Sequence, residues 1–125
     1  MIKLTFVVRR RSDVEAEEFH RYWRDEHGPL VRSYTDALAI RRYVQVHRID
    51  TPANDALRAS RDADEPYDGV AELWWDDLDA LAAATSTPEG VAAGRALLED
   101  ERRFIDLERS ALWLGEEVEI IGAGG

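Results

Sequence analysis

The sequence predicts an α+β domain in which four antiparallel strands and two helical regions follow the order β-α-β-β-α-β. Residues 2–8 (IKLTFVV) alternate apolar and polar side chains with the period of a half-buried strand. Residues 76–106 form an Ala/Leu-rich stretch typical of helices, and residues 68–75 (DGVAELWW) have strand composition. The order is that of the split βαβ motif, a ferredoxin-like arrangement in which both helical regions lie on one face of the sheet.

The boundaries of each element follow from local signals. Ser12 and Glu15 have the spacing of a capping box, which predicts a helix beginning near Asp13. Thr87 followed by Pro88 indicates that the second helical region is split, because threonine caps a helix start and proline suits the first helical position. The remaining strands are predicted at residues 37–49 and 110–121.

The chain is predicted to form a single domain over residues 1–125. Residues 51–68 are polar and interrupted by proline, which predicts a long loop with at most one helical turn, at NDALRAS. Residues 122–125 are Gly-rich and predict a flexible tail.

Composition excludes several classes of function. The formal net charge of −10 argues against nucleic acid and anionic membrane surfaces as partners. No apolar run approaches the roughly 20 residues that span a bilayer, and no basic leader precedes one, so we expect a soluble, cytoplasmic protein. The absence of cysteine excludes thiolate nucleophiles and thiolate metal sites.

The predicted sheet has one face that no helix covers. Val44, Val46 and Trp74 fall on that face by alternation, and an exposed apolar patch of this kind usually marks an interface. We therefore expect a homodimer in which two sheets pack face to face, a dimeric α+β barrel.

The first helix carries an apolar stripe with a histidine beside it. At about 100° per residue, Phe19, Trp23, Leu30 and Tyr34 fall within about 60° of arc, which is explained by packing against the sheet. His27 lies next to this stripe and must be hydrogen-bonded or face a cavity. A Gly-Pro pair follows it, and because proline removes a backbone donor, the helix must kink or restart there.

The second strand places Tyr43, Gln45 and His47 on one face. If that face points to the helices, these side chains, His27 and Trp75 surround a cavity with aromatic walls and a few polar groups, the usual composition of a small-molecule site. The alternation alone leaves the direction of the face open.

Other kinds of site are weakly represented. His20 and His27 are too far apart along a helix to chelate one metal, and neither H-E-x-x-H nor a phosphate-binding glycine loop is present, so we expect no metal and no cofactor. The acidic runs EAEE, DDLD and EDE are interpreted as solvated helix faces.

Four segments together resemble the EthD family. EEFHRYWRDEHGPLV is similar to the family's first-helix pattern, close to F-x-x-Y-W-x-x-x-H-x-P-L-V, and RYVQVH is similar to its second-strand pattern, although Val46 stands where asparagine is common. YDGVAELWWDDLDAL and DERRFIDLERSALWLGEEVEII resemble the third strand with its helix and the last strand. The resemblance covers residues 2 to about 121, and the motif residues are His27, Tyr22 and Trp23.

The resemblance implies a dimeric α+β barrel whose pocket lies between helices and sheet, and cofactor-independent acid/base chemistry on carbonyl-bearing or phenolic compounds. On this hypothesis the chain catalyses isomerisation, cyclisation, dehydration or decarboxylation of an aromatic or polyketide-like carbonyl compound. His27 is then the general acid or base, and His47 or Tyr43 polarises the substrate oxygen. The expected substrate-binding residues are Tyr22, Trp23, Gln45 and Trp75. One alternative is a non-catalytic small-molecule binding or carrier protein that uses the same pocket. Another is a purely structural dimer whose histidines are hydrogen-bonded core groups.

Overall fold

The computed structural model describes residues 1–122, and their element order agrees with the predicted α+β arrangement. The strands are β1 (Ile2–Val8), β2 (Arg42–His47), β3 (Gly69–Trp75) and β4 (Ala111–Glu116). The α-helices are α1 (Ala16–Tyr22), α2 (Gly28–Ser33), α3 (Pro52–Arg61), α4 (Leu78–Ala84) and α5 (Pro88–Glu101). A π-helical segment (Trp23–His27) joins α1 to α2, and a 3₁₀ turn (Leu107–Arg109) precedes β4.

The four strands form one antiparallel sheet in the order β2-β3-β1-β4. The central strands β1 and β3 pair from Ile2 with Trp75 to Val8 with Gly69. Strands β2 and β4 are the two edges, so each has one hydrogen-bonding side open within a single chain.

The core lies between the sheet and the helices on one of its faces. Phe6, Val8 and Ala71 of the sheet form a buried cluster with Phe19 and Trp23 of the first helical stretch. A second cluster, which includes Trp75 of the sheet, Val31 of α2 and Ala93 of α5, continues this layer. The other sheet face has no helix of the described chain packed on it, as the sequence predicts.

The first helix begins later than the sequence predicts. It starts at Ala16 with Glu15 as the capping position, and Glu15 makes no side-chain cap hydrogen bond, so the predicted capping box is wrong. The Arg11 guanidinium binds the Asp13 carboxylate at 2.8–2.9 Å, and this local turn occupies the residues that would have opened the helix.

The π-helical segment changes which residues of the first helical stretch face the core. Gly28 directly follows this segment, and its backbone N–H donates to the carbonyl of Trp23, five residues earlier in the chain. Phe19, Trp23, His27 and Val31 are therefore the buried positions, at intervals of four. The predicted stripe is correct as far as Trp23, but Val31 takes the buried place expected for Leu30, because the wider π turn shifts the register by one residue.

Two predicted strands are shorter in the structure. Strand β2 begins only at Arg42, because the preceding residues form turns in which Ala39 has a φ of 55°. Strand β4 ends at Glu116, which pairs with Ile2, the first residue of the antiparallel strand β1, so no partner residue of β1 lies beyond it.

The predicted long loop contains a ten-residue helix, α3, and the loop prediction is wrong for Pro52–Arg61. Thr51 caps this helix by accepting a hydrogen bond from the Ala53 N–H, and Asp62 ends it in the left-handed conformation. None of its residues is buried. The polar composition that suggested a loop is that of a helix lying on the surface. Of the predicted tail at 122–125, residues 123–125 lie outside the described part of the chain.

The split of the second helical region is confirmed. Thr87 Oγ1 accepts a hydrogen bond from the Gly90 N–H at 2.9 Å, and Pro88 occupies the start of α5. No helix within residues 1–122 is both long and apolar enough to cross a membrane.

The uncovered sheet face differs from the prediction at Trp74. This indole is only 6% exposed, because the cations of Lys3 and Arg42 lie over its ring and its N–H donates to Glu117. Val46 and Trp113, about half exposed, supply the open apolar surface on that face instead.

Candidate active site

A cavity of about 270 Å³ lies between the sheet and the helices. Most of its lining is aliphatic or aromatic, and its ionisable side chains are His27, Tyr43 and Glu101. Leu98 of α5 and Leu112 of β4 also line it while being 39% and 58% exposed, so the cavity opens to solvent between α5 and β4.

His27 is held in the cavity wall by a carboxylate from α5. Its Nδ1 lies 2.7 Å from Oδ2 of Asp100, and the Tyr22 hydroxyl donates to the other oxygen, Oδ1, at 2.5 Å. The π-helical segment orients the imidazole, and the last turn of α5 supplies the carboxylate. Two helical elements thus fix one ring through a single acidic side chain.

The protonation state of His27 follows from its surroundings. Burial lowers the pKa of His27, and the hydrogen bond and charge of Asp100 oppose that effect without reversing it. The imidazole is therefore neutral at pH 7, with Nδ1–H donating to Asp100. The described residues provide no hydrogen bond to Nε2, and none of their fully buried side-chain nitrogens or oxygens lacks a partner, so Nε2 retains accessible surface.

Glu101 is the acidic residue of the cavity wall. The structure shows no hydrogen bond or ion pair to its carboxyl group within residues 1–122, and the side chain is partly buried. Because no fully buried side-chain oxygen of these residues lacks a partner, the carboxyl group of Glu101 keeps some accessible surface. Burial, and to a smaller extent the charge of Asp100, raise the pKa of Glu101 to about 7. A substantial fraction of this carboxyl group therefore carries a proton at neutral pH.

Tyr43 is the third ionisable group of the cavity. Burial raises the pKa of Tyr43 to about 12, so the phenol keeps its proton at physiological pH. Its oxygen accepts a hydrogen bond from Gln45 Nε2 at 2.7 Å, which leaves the phenolic hydrogen available as a donor.

The face that carries Tyr43, Gln45 and His47 does point to the helices, but only Tyr43 lines the cavity. Gln45 donates to the carbonyl of Trp23 at 2.8 Å as well as to Tyr43. Its oxygen is 2.7 Å from His47 Nε2. Gln45 and His47 line an open groove on the other side of Tyr43, so the expectation that they surround the cavity is wrong. The reason is that the Trp23 indole, 4.4 Å from the His47 ring, separates His47 from the cavity.

His47 is paired with a second histidine. Its Nδ1 lies 2.7 Å from Nδ1 of His20, and burial lowers the pKa of both rings. Because His47 Nε2–H donates to the Gln45 oxygen, His47 Nδ1 accepts and His20 Nδ1–H donates.

Of the other predicted site residues, two line the cavity and one does not. Trp23 and Trp75 line the cavity, and the Trp75 indole N–H is fixed by the carbonyl of Leu38 at 2.7 Å. Tyr22 does not line the cavity and instead holds Asp100. Gly69 allows the close approach of Trp23, since a Cβ at this position would lie 2.5 Å from the indole.

Asp100 and Glu101 are the site residues that the sequence analysis missed. They belong to the acidic run EDE, which was interpreted as a solvated face, and only Glu99 of that run is exposed. A signal was available: Ala93, Leu97 and Glu101 recur at intervals of four on the apolar side of α5. Within residues 1–122 no three His, Cys, Asp or Glu side chains cluster as a metal site would require.

The comparisons with known proteins settle the family. A family profile described as "EthD domain" matches residues 11–108. The chain belongs to the EthD family. No curated protein sequence shows significant similarity to it.

Solved structures share the fold of this EthD protein. An ethyl tert-butyl ether d (ethd) family protein from Bacillus halodurans is 22% identical, with 94% of this chain and 99% of that one covered and a TM-score of 0.63. HapK from Hahella chejuensis is 16% identical, with both chains fully covered and a TM-score of 0.62. A protein from Bacteroides fragilis, described as dimeric and of ferredoxin-like fold, is 17% identical, with 93% and 95% covered and a TM-score of 0.58. These likenesses establish the ferredoxin-like fold.

Proposed function

We propose that this EthD protein is an enzyme that moves a proton at the carbon beside a carbonyl group of a small, largely apolar ring compound, with His27 as the general base. The observation that carries the proposal is the His27–Asp100 pair in the wall of an apolar cavity. Abstraction of such a proton is the step shared by isomerisation, cyclisation and dehydration of carbonyl compounds.

The pair suits this chemistry for a physical reason. Asp100 fixes the imidazole in the tautomer that leaves Nε2 unprotonated, and its charge stabilises the imidazolium that forms when Nε2 takes a proton. Tyr22 holds the second oxygen of Asp100 and so restricts the carboxylate to one orientation. The lowered pKa of His27 keeps the base form available at neutral pH.

The cavity indicates the class of substrate. Trp23 and Trp75 offer flat apolar surface, and the Tyr43 hydroxyl supplies a donor suited to a carbonyl oxygen. Few other polar groups are present to bind a highly hydroxylated compound. These features favour an aromatic or polyketide-like ketone with one or two oxygens.

Small-molecule chemistry has a precedent among proteins of this fold. SnoaB from Streptomyces nogalater, 18% identical with a TM-score of 0.51, is described as a cofactor-independent oxygenase. At this identity the likeness shows the fold alone, so the reaction proposed here depends on the residues of the cavity.

The proposal is tested with 2-tetralone, a bicyclic ketone whose C1 protons exchange with D₂O when a base removes them. We expect the wild-type protein to accelerate this exchange, measured by proton NMR, and His27→Gln to lower the acceleration about 100-fold or more. His20→Gln is the matched control, because His20 lies on the same helical stretch outside the cavity. Exchange by His27→Gln within a few-fold of wild type would remove His27 from the mechanism.

The same experiment separates an enzyme from a carrier. A carrier binds 2-tetralone in the cavity, as competition with an apolar fluorescent probe would show, yet the wild-type protein leaves the exchange at the buffer rate. That result would replace the enzyme by the non-catalytic alternative.

We also propose that two chains form a homodimer through the uncovered sheet face. Val46 and Trp113 leave apolar surface there, and the dimeric Bacteroides fragilis protein has the same fold. Packing two such faces together would bury these side chains between two sheets.

A further inference from the structure

Glu101 is a partly buried titratable group that the proposed mechanism does not use. It lies in the wall of the same cavity as His27, and its carboxyl group has no hydrogen bond or ion pair within residues 1–122. A carboxylate in a largely apolar wall loses part of its hydration without gaining a partner, which is costly unless the group stays protonated or meets a ligand. An aliphatic side chain would fill the same wall at lower cost, so a purely structural role explains the residue poorly.

The position of Glu101 relative to Asp100 is informative. The two are consecutive on α5, so their side chains point about 100° apart around the helix axis. Asp100 reaches Nδ1 of His27, whereas Glu101 reaches the cavity. One turn of helix thus supplies both the group that orients the base and a second acidic group beside the space for the substrate.

We propose that Glu101 is the general acid of this site and donates its proton to the carbonyl oxygen while His27 removes the proton from the neighbouring carbon. This inference rests on the proposed function and adds a second catalytic residue to it. It also narrows the substrate to compounds whose carbonyl oxygen can meet Glu101 beside the Tyr43 hydroxyl while the adjacent carbon faces His27.

The proposed step moves two protons, one from carbon to His27 and one from Glu101 to oxygen. The C–H bond breaks and its proton goes to Nε2 of His27, while the electron pair forms the C=C bond of an enol. The π electrons of the C=O bond move to oxygen, which takes the proton of Glu101. The products are the enol, an imidazolium held by Asp100, and a Glu101 carboxylate. In D₂O the imidazolium of His27 replaces its proton by a deuteron from solvent; return of that deuteron to the same carbon, with the enol proton going back to Glu101, completes an exchange. Return of a proton to a different carbon of the enol system completes an isomerisation.

The groups around Glu101 make this direction of transfer favourable near neutral pH. The cavity wall also contains His27, which is neutral, and Tyr43, which keeps its proton, while Asp100 adjoins Glu101 on α5. Tyr22 and Arg103 both contact Asp100: the Tyr22 hydroxyl donates to its Oδ1, and Arg103 Nε lies 3.8 Å from the same oxygen. The unpaired neutral acid and the neutral base coexist between the lowered pKa of His27 and the raised pKa of Glu101.

The deuterium exchange of 2-tetralone tests the proposal through its pH dependence. We expect the wild-type rate to decline above about pH 7, where Glu101 loses its proton. In Glu101→Gln we expect a rate about 100-fold lower and no decline above pH 7. Glu99→Gln is the matched control, since Glu99 is the exposed neighbour on the same helix, and it should keep the wild-type rate and profile.

A binding measurement gives an answer that does not require turnover. With 2-tetralone labelled with ¹³C at the carbonyl, we expect the bound resonance to lie downfield below pH 7, where Glu101 donates to the oxygen, and to move upfield above it. Glu101→Gln should abolish this pH dependence.

The outcomes separate this proposal from the proposed function. If His27→Gln abolishes exchange while Glu101→Gln retains the wild-type rate and pH profile, Glu101 is not the acid and the function of His27 stands. A bound carbonyl resonance that is independent of pH in the wild-type protein would also overturn the role of Glu101. Failure of the ketone to enter the cavity would overturn both.

Discussion

Asp100 and Glu101 are neighbours with the same kind of side chain, and their surroundings give them different chemistry. Asp100 accepts hydrogen bonds from His27 and Tyr22, so both of its carboxylate oxygens have a donor. Glu101 has no such donor within the described chain, and burial raises its pKa to about 7. Environment, rather than residue type, assigns one to positioning and the other to proton donation.

His27 was predictable from the sequence because two local facts converge on it, its place beside the apolar stripe and the Gly-Pro pair that follows. Asp100 was not, because its partner is 73 residues away in the chain and the distance closes only in the fold. Strand alternation alone does not determine which sheet face Tyr43, Gln45 and His47 occupy, and the structure decides it. Which of these three side chains reaches the cavity depends on where the Trp23 indole lies, and the spacing of residues in the sequence does not predict that position.

The raised pKa of Glu101 predicts a pH-dependent effect on stability. In the unfolded chain this carboxyl titrates near 4.5 and in the folded chain near 7, so ionisation costs the folded state stability as pH rises between these values. We expect the free energy of unfolding of the wild type to fall by about 2–3 kcal/mol relative to that of Glu101→Gln as the pH rises from 4.5 to 8. Urea denaturation at both pH values measures this.

Glu99→Gln is the control for that comparison, because its exposed position predicts a change within about 0.5 kcal/mol at either pH. A constant difference between Glu101→Gln and wild type across the range would contradict the raised pKa of Glu101.

The helical elements differ in how far the sequence predicts them. The split at Thr87 was predictable because a cap and a proline act locally. The π-helical segment was not, since the Gly-Pro pair predicts an interruption but not its form. That form matters to the site: the wider turn places His27 in line with Phe19 and Trp23 and turns the backbone carbonyl of Trp23 toward Gln45. Helix α3 was missed because its composition is mostly polar and none of its residues is buried in the core.

The two threonine caps provide a prediction about these helices. Thr87 caps α5, which packs in the core and carries Asp100, so Thr87→Ala should lower the free energy of unfolding by about 1 kcal/mol. Thr51 caps α3, which buries none of its residues, so Thr51→Ala should leave the global transition in urea unchanged and only speed local amide hydrogen exchange. Equal effects of the two changes on the urea midpoint would show that α3 is part of the cooperative core.

The overall architecture was the most predictable property, because strand alternation and helix periodicity fix the order β-α-β-β-α-β and that order admits few sheets. The assembly is less determined. Trp74, expected to contribute to the open face, is covered by Lys3, Arg42 and Glu117 of its own chain. The apolar area left for a partner is therefore centred on residues such as Val46 and Trp113.

The homodimer is tested by a charge placed on that face. We expect wild type to sediment as a dimer at micromolar concentration and Val46→Asp to sediment as a monomer, because a carboxylate would be buried between the sheets. Leu57→Asp is the control, since Leu57 is similarly exposed but lies on α3, and it should remain dimeric. A wild-type protein that sediments as a single monomeric species would contradict the proposal.

The measurement that tests the central claim most directly is the C1 deuterium exchange of 2-tetralone, with wild type, His27→Gln and His20→Gln compared in one buffer at neutral pH. The account predicts acceleration by wild type and His20→Gln and its loss, by about 100-fold or more, in His27→Gln. Equal exchange by wild type and His27→Gln would contradict it.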